Sequence, residues 1–264
     1  MAVSVCLTVA AVASAQVNTQ SLDRGEYDDG WMTSAEAELS LLGGNIEMIE
    51  AYGEGSVRWQ KFHPARDSDV LPWLHQRWRL SLSAGFGSES AEPFMNEQYG
   101  HMRWTAMWHR HVGSELYVQG QRNLFQLLDS RLLAGVGVRA DLFHTADFSM
   151  WVGTGVFTEH ERLDAPGDEA RQDTLRWSNY LVFRGQLGGR KNPDLAVVLQ
   201  NTVFIQPALD DLSDYRIMNE TQFDLPITEI VSLVTGVNFR RDLAPPPGVQ
   251  RNDIRLSQGL SVEF

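Results

Sequence analysis

The stretch LHQRWRLSLSAGF, residues 74–86, decides the fold because apolar and polar side chains alternate along it. Its even positions are mostly large and apolar, and its odd positions are basic or small. The even positions are Leu74, Gln76, Trp78, Leu80, Leu82, Ala84 and Phe86. Successive side chains of a β-strand point to opposite faces, so the alternation predicts a strand between two different environments.

The same period of two recurs along the chain, and we count about twelve predicted strands. It is clearest in residues 131–142 and 253–264. Weaker versions cover residues 33–41, 47–59, 96–109, 115–123, 148–161, 175–187, 195–206, 215–225 and 230–240. The chain after residue 15 leaves about 21 residues for each strand and its connection, whereas a strand needs roughly 9–11 residues to cross the hydrocarbon. The pattern predicts an all-β protein, a single antiparallel transmembrane β-barrel.

Composition narrows the classes of partner. The chain has 22 Lys+Arg against 34 Asp+Glu, a formal net charge of −12, and such a chain repels phosphate backbones. We therefore expect no nucleic-acid partner. The hydrophobic content of 43% excludes a disordered chain.

The uncharged residues 1–15, MAVSVCLTVAAVASA, end in a small-residue cleavage pattern and predict a secretory signal peptide. Residues 16–30 are predicted to be a flexible lead-in, and residues 31–264 the barrel. The single cysteine, Cys6, lies in the signal, so we expect no thiolate nucleophile or cysteine metal site after cleavage. An exported barrel predicts the outer membrane of a Gram-negative bacterium, with outer-membrane lipid as a partner.

Connection lengths predict the orientation. Residues 110–113, 143–147, 188–193 and 226–228 form short connections, and residues 88–94, 124–130, 163–174, 207–214 and 241–252 form longer ones. Short turns are periplasmic in bacterial barrels, and long loops are external. The last strand ends on an aromatic residue, and Leu260, Val262 and Phe264 share one face. We interpret these three residues as a signal for the barrel assembly machinery.

A soluble calyx of eight to ten strands is the second architecture that this pattern allows. The apolar faces would then point inward to a ligand. The aromatic content of these faces favours a membrane, because aromatic residues form girdles at both bilayer interfaces. The aromatic residues on the predicted apolar faces are Trp59, Trp78, Trp104, Trp108 and Phe204.

Three segments carry a family resemblance: NEQYGHMRW at residues 96–104, ELYVQGQ at 115–121 and RLLAGVGVR at 131–139. The segment GTGVFTEHE at residues 153–161 is similar too. Together they resemble the salt-induced outer membrane protein family, a domain family of unknown function. The resemblance implies a porin-like barrel in the outer membrane and no established activity. Its name describes expression under salt and implies no mechanism.

The polar faces predict contacts inside the barrel. If the hairpin near Val112 pairs residues whose numbers sum to about 224, His109 faces Glu115, Arg103 faces Gln121 and His101 faces Asn123. By the same reasoning Arg131 faces Glu159, and Arg139 can approach Glu115. The predicted lumen-lining cluster is Arg103, Glu115, Gln119, Gln121, Arg131, Arg139 and Glu159.

Two interpretations of this cluster remain open. It is either a charged constriction that filters small solutes, or an ion-pair network that plugs the lumen. A barrel enzyme and a ligand-binding barrel are the less favoured alternatives. We expect no enzyme and no catalytic residues, because no His-x-Ser motif occurs on a strand. We also expect no metal or cofactor, since His109, His111 and His160 lack a convincing third ligand.

Overall fold

The computed structural model describes residues 29–42, 48–64, 71–90, 92–123, 127–145, 147–164, 171–188, 196–228, 231–245 and 249–262. Within these ranges it does not describe the side chains of residues 34–42, 255, 257 and 260–262. The predicted signal peptide at residues 1–15 lies outside the described residues. So do Phe264 and all of the predicted lead-in but its last two residues.

Twelve β-strands make up the described structure, as the alternation predicts. They are β1 (Gly30–Leu42), β2 (Met48–His63), β3 (Trp73–Glu89), β4 (Glu92–His109), β5 (Val112–Asn123), β6 (Leu128–His144), β7 (Phe148–Leu163), β8 (Arg171–Leu187), β9 (Val197–Pro207), β10 (Tyr215–Pro226), β11 (Val231–Asp242) and β12 (Asn252–Val262). Most are longer than the strands of soluble sandwiches, which run to about 5–6 residues. The prediction of an antiparallel all-β fold with about twelve strands is confirmed.

The strands form one antiparallel sheet in the order of the chain, from β1 to β12. Gly30 opens β1 opposite Gln60, and Val262 closes β12 opposite Val231. Both outer strands therefore start or finish at one end of the sheet, which we call the terminus end. The connections after β2, β4, β6, β8 and β10 also lie there. The remaining connections lie at the opposite, far end.

The sheet curls, because side chains from strands that are not neighbours meet on its concave side. The Tyr180 hydroxyl on β8 donates to Glu115 on β5, and Arg216 on β10 donates to Glu159 on β7. Within the described residues, the hydrogen-bonded ladder has β1 and β12 as its two edges, and no pair between them is present.

The two faces of the sheet have inverted polarity. Outward side chains are apolar and exposed, for example Leu82 at 54%, Val136 at 50% and Leu256 at 56%. Many inward side chains are polar and buried, and Gln119 and Glu159 are only 1% exposed. Such a protein needs an apolar medium outside, because exposed apolar area of this extent is costly in water. In the described part of the chain, no helix is both long and apolar enough to cross a bilayer.

Two apolar residues depart from the predicted faces. Leu74 is buried on the concave side, because a register shift between Lys61 and Phe62 pairs Phe62 with Leu74 and leaves one extra residue on β3. Phe204 is also buried inside, where its ring packs 5.4 Å from that of Tyr180. Its place in an outward aromatic girdle was therefore a wrong prediction.

The predicted register of the β4–β5 hairpin is wrong by four residues. The observed partners sum to 220: His101 pairs with Gln119, Arg103 with Tyr117 and Thr105 with Glu115. The turn occupies residues 110–111 only, and an irregularity between Met107 and His109 tightens it further. The centre of the hairpin therefore lies before Val112.

The predicted lengths of two connections are also wrong. The connection at residues 88–94, predicted to be long, shrinks to residues 90–91, because β3 and β4 extend almost to each other. The connection predicted as short at residues 188–193 instead extends from residue 188 to residue 196. Placing the terminus end in the periplasm stays a prediction.

An arginine on the outward face tests the inverted polarity. We expect Val136→Arg to lower the free energy of unfolding by about 2–4 kcal/mol, the cost of a cation near the midplane of a bilayer. The measurement is urea unfolding in lipid vesicles, with Val136→Leu as the apolar control. Equal stability of the two variants would show that this face does not contact lipid.

Candidate functional site

All seven predicted lumen residues lie buried on the concave face. They do not form one continuous row. Toward the far end lie Gln119, Gln121, Arg131 and Glu159, in the middle lie Arg103 and Glu115, and toward the terminus end lies Arg139. The site therefore has three layers.

In the far-end layer, one carboxylate contacts three guanidinium groups. Glu159 Oε1 is 2.8 Å from Arg131 Nε, and its Oε2 accepts a hydrogen bond of 2.9 Å from Arg176 Nε. Arg216 Nη1 donates to both oxygens, at 2.7 and 2.9 Å. We call Arg131, Arg176 and Arg216 the arginine triad. The predicted contact of Arg131 with Glu159 is present, although the backbone register pairs Arg131 with Glu161.

Three further carboxylates surround the arginine triad. Glu161 forms ion pairs with Arg131 and Arg216, Asp214 with Arg176, and Asp242 with Arg216. Together with Glu159, four carboxylates face three guanidinium groups. Each buried guanidinium group therefore has at least two carboxylate partners, and such pairing is what burial requires, since an unpaired charge in an enclosed space is costly.

The middle layer is built on Glu115. Its Oε2 accepts a 3.2 Å hydrogen bond from Arg103 Nη1 and a 2.7 Å bond from the Tyr180 hydroxyl. Its Oε1 accepts a 3.2 Å bond from Thr105 Oγ1. The Arg103 guanidinium carbon also lies 5.1 Å from the centre of the Tyr117 ring, which is within the range of a cation–π contact.

Two tyrosine rings fill the space that the inward glycines leave. Gly135 pairs across strands with Tyr117, and Gly153 pairs with Tyr180. A Cβ at Gly135 would lie 2.3 Å from the Tyr117 ring, and a Cβ at Gly153 would lie 2.2 Å from the Tyr180 ring. A tyrosine ring therefore lies directly over each of these two glycines.

Apolar side chains complete the filling of the interior between β5 and β10. One cluster contains Trp151, Tyr180, Val182, Phe204 and Met218, and another contains Tyr117, Leu133 and Phe157. Val182 is 0% exposed and Phe157 is 1% exposed, so almost none of their surface is accessible to water. Together with Glu115 and Arg103, these clusters form what we call the lumen plug.

At the terminus end, Arg139 is held in a different way from its predicted approach to Glu115. Its Nε donates 2.7 Å to Asp141 Oδ1, and its guanidinium carbon lies 4.6 Å from the centre of the Trp151 ring. Ser149 Oγ lies 3.3 Å from His144 Nδ1 nearby. These groups line a recess that opens at this end.

Arg176, Arg216 and Tyr180 are central residues that the sequence analysis missed. Each lies on an inward position of its strand, between outward neighbours such as Trp177 and Ile217. The alternation along β8 and β10 therefore indicates that all three side chains point inward. The contact of Arg216 on β10 with Glu159 on β7 could not be predicted from either strand's own sequence.

The other predicted site residues are placed as follows. Leu260 pairs with Leu233 and Val262 with Val231 on β12, and Phe264 lies outside the described residues. The rings of His109 and His111 are 5.8 Å apart, and His160 is exposed while Glu159 and Glu161 are buried. Nowhere in the described ranges do three His, Cys, Asp or Glu side chains come close enough to hold a metal.

Removal of the central carboxylate tests the far-end layer. We expect Glu159→Gln to lower the free energy of unfolding by about 3–5 kcal/mol, because it removes the one carboxylate that contacts all three buried guanidinium groups. The measurement is urea unfolding of the refolded barrel. Asp129→Asn is the control, since its partners Arg122 and Arg162 are about half exposed and such pairs contribute only about 0–1 kcal/mol. Similar losses in both variants would contradict the central role of Glu159 in pairing the arginine triad.

A side chain at Gly153 tests the Tyr180 ring position. We expect Gly153→Val to lower the free energy of unfolding by about 1–3 kcal/mol, because it displaces the ring and its hydrogen bond to Glu115. Gly120→Val is the matched control, because a Cβ at Gly120 meets open space. If the two variants unfolded at the same urea concentration, the packing role of Gly153 would be refuted.

Comparisons with known proteins place the chain in a family. No curated protein matches the chain. Among solved structures, the NanC porin is similar at 10% identity and a TM-score of 0.44, over 89% of this chain and 100% of that one. The β-domain of the Bordetella autotransporter BrkA is similar at 9% identity and a TM-score of 0.41, over 90% of this chain and 100% of that one. A family model described as "Protein of unknown function, DUF481" matches residues 71–264, and the chain belongs to that family.

Proposed function

We propose that the protein is a closed outer-membrane barrel, a component of the cell envelope whose lumen is plugged by its own side chains. The observation that carries this proposal is the burial of the interior between β5 and β10. Charged residues such as Arg176 and Glu159 are no more than 2% exposed there, as are the apolar residues Phe157, Val182 and Phe204.

The membrane location rests on the inverted polarity of the sheet. Many large apolar side chains face outward from nearly every strand, and each of them is more than a third exposed. Aromatic residues are among them, with Trp31 at 73% and Trp108 at 65%. Aromatic side chains prefer the interface between lipid and water, where one part of the ring system is apolar and another is polar.

Closure rests on two kinds of filling that support each other. The arginine triad and its four carboxylates occupy the far-end layer, and the lumen plug occupies the middle. A charged network of this kind is stable only when each ion is paired, and pairing fixes side chains in the lumen. The plug is therefore held by the same contacts that satisfy its buried charges.

A narrow channel is the second candidate, and one observation favours it. Arginines lie on the inner face in all three layers: Arg139 and Arg184 at the terminus end, Arg103 in the middle, and the arginine triad at the far end. A movement of Tyr117 and Tyr180 would connect these arginines, together with the carboxylates paired with them, into one polar path. A role in salt stress follows from the family resemblance alone and stays a prediction. We expect no hydrolysis of lipid or peptide substrates.

Conductance in a planar bilayer tests the closed barrel. We expect the refolded wild-type protein to insert without ion-conducting steps, because the lumen plug blocks the path. The double variant Tyr117→Ala, Tyr180→Ala removes the two rings above Gly135 and Gly153, and we expect it to conduct.

The matched control replaces two outward aromatic residues, Trp78→Ala with Trp177→Ala, which are 40% and 45% exposed and lie outside the lumen. We expect this control to remain silent. Regular single-channel steps from the wild-type protein would overturn the closed barrel and favour the narrow channel, whether or not the double tyrosine variant folds.

A further inference from the structure

The outward faces of two parts of the sheet differ at the middle of their strands. On β2–β6, every outward side chain within two residues of a strand midpoint is apolar or glycine, for example Leu82, Val118 and Val136. Each strand from β7 to β12 instead carries a polar, uncharged outward side chain there, and these are Thr154, Asn179, Asn201, Asn219, Thr235 and Gln258. The lipid-facing surface is therefore apolar at mid-height on one side of the molecule and partly polar on the other.

Three of these polar residues lie on neighbouring strands, and we call Asn179, Asn201 and Asn219 the amide stripe. Each of them directly follows a residue that is buried on the concave side, namely Ser178, Gln200 and Met218. Because side chains alternate along a strand, the three amides point away from the lumen. β9 and β10 have 11 and 12 residues, close to the roughly 9–11 residues that cross the hydrocarbon. Their middles therefore lie deep in the bilayer.

Asn179 has hydrogen-bonding capacity that its neighbours do not use. Trp177 Nε1 donates 2.8 Å to Thr154 Oγ1, and the Thr154 hydroxyl donates 2.8 Å to Asn179 Oδ1. Among the described residues, which include all of β7, β8 and β9, the Asn179 amide nitrogen has no acceptor. An amide nitrogen carries two N–H donors, so this chain of hydrogen bonds ends in two donors on the lipid-facing side.

Asn201 and Asn219 form a second, loose network on the same face. Asn201 Nδ2 donates 2.7 Å to Thr221 Oγ1, and the two asparagine side chains make reciprocal contacts of 3.4 Å. Hydrocarbon offers no hydrogen-bonding partner, and polar side chains at this depth therefore face protein or water in membrane proteins. Because the amide stripe faces away from the lumen, we expect protein to cover it.

The chemistry of the amide stripe fits a second copy of this chain. An amide both donates and accepts hydrogen bonds, so it can bind the same amide of an identical molecule, as a twofold interface requires. Among the described outward residues within two positions of the midpoints of β8–β10, none is charged, so two copies meet without repulsion. Three strands about 4.8 Å apart and about 11 residues long present roughly 500 Å² on each copy, or about 1,000 Å² in total, the size at which specific interfaces begin.

We infer that the outward face of β8–β10 is a dimer interface within the membrane, where the amide stripe of one copy hydrogen-bonds to that of the other. The apolar side chains of Leu181, Val203 and Ile205 lie between the amides on this face and pack across the same contact. The inference rests on the proposed membrane barrel, and it holds whether the lumen is closed or open.

Sedimentation equilibrium of the refolded full chain in a density-matched detergent tests the inference. We expect a reversible equilibrium between monomer and dimer. The triple variant Asn179→Leu, Asn201→Leu, Asn219→Leu keeps side chains of similar size and removes the amides. We expect it to weaken dimerisation about tenfold or more, because it removes the hydrogen bonds between copies. The barrel itself is expected to fold, since leucine suits a position that faces lipid.

The matched control removes three outward amides from β3 and β4, on the apolar side of the molecule: Gln76→Leu, Asn96→Leu and Gln98→Leu. We expect this control to dimerise as the wild type does. A wild-type monomer, an oligomer other than a dimer, or equal dimer affinities of the two triple variants would overturn the inference.

Crosslinking in lipid vesicles tests the contact with all three amides intact. Cys6→Ser is included in both variants, so that each has one thiol. Val203→Cys places the thiol inside the amide stripe, and Leu82→Cys places it at the same height on β3, where Leu82 is 54% exposed. We expect a short thiol crosslinker to link Val203→Cys into dimers and to leave Leu82→Cys unlinked.

Absence of linked Val203→Cys dimers in the inserted protein, or equal linking of both variants, would overturn the dimer interface, whether or not the leucine variants fold. A chain that failed to insert into vesicles would overturn the proposed membrane barrel as well. Insertion as a monomer would overturn the dimer alone.

Discussion

The structure depends on one constraint: a charge that is enclosed by the sheet must meet an opposite charge or a hydrogen-bonding partner there. Apolar side chains occupy the outward positions, so the alternate positions send polar and charged side chains into a confined interior. The interior cannot hydrate all of them at once. The result is the arrangement around Glu159, where one carboxylate contacts three guanidinium groups and three more carboxylates lie behind them. The pairing of charges across the lumen therefore depends on the curl of the sheet, because the curl brings strands that are not neighbours together.

The faces of the strands were predictable, and the partners across them were not. A strand has a period of two, so an error of four residues in the β4–β5 register leaves every side chain on its correct face. Arg103 and Glu115 were therefore placed inside correctly, although Glu115 was matched with His109. The error came from the turn at residues 110–111, because neither of its residues, Arg110 and His111, is a typical turn residue.

Two other failures have local physical causes. The extra residue on β3 shifts the alternation just where Leu74 lies, and no glycine or proline marks the shift in the sequence. On β9, apolar residues occupy both faces, so the alternation does not tell which way Phe204 points. The contacts of Tyr180 with Glu115 and of Arg216 with Glu159 depend on how tightly the sheet curls. No stretch of sequence encodes that curvature on its own.

Asp214 links a surface connection at the far end to the buried arginine triad. It belongs to the connection between β9 and β10, where a neighbouring turn holds it: the Ser213 backbone N–H and hydroxyl both donate to Asp211. Yet its own carboxylate reaches inward to Arg176. A movement of this connection away from the sheet would therefore withdraw the Asp214 carboxylate from Arg176. The arginine triad would then face three carboxylates instead of four. A movement of a surface connection would in this way change the charge inside the far-end layer.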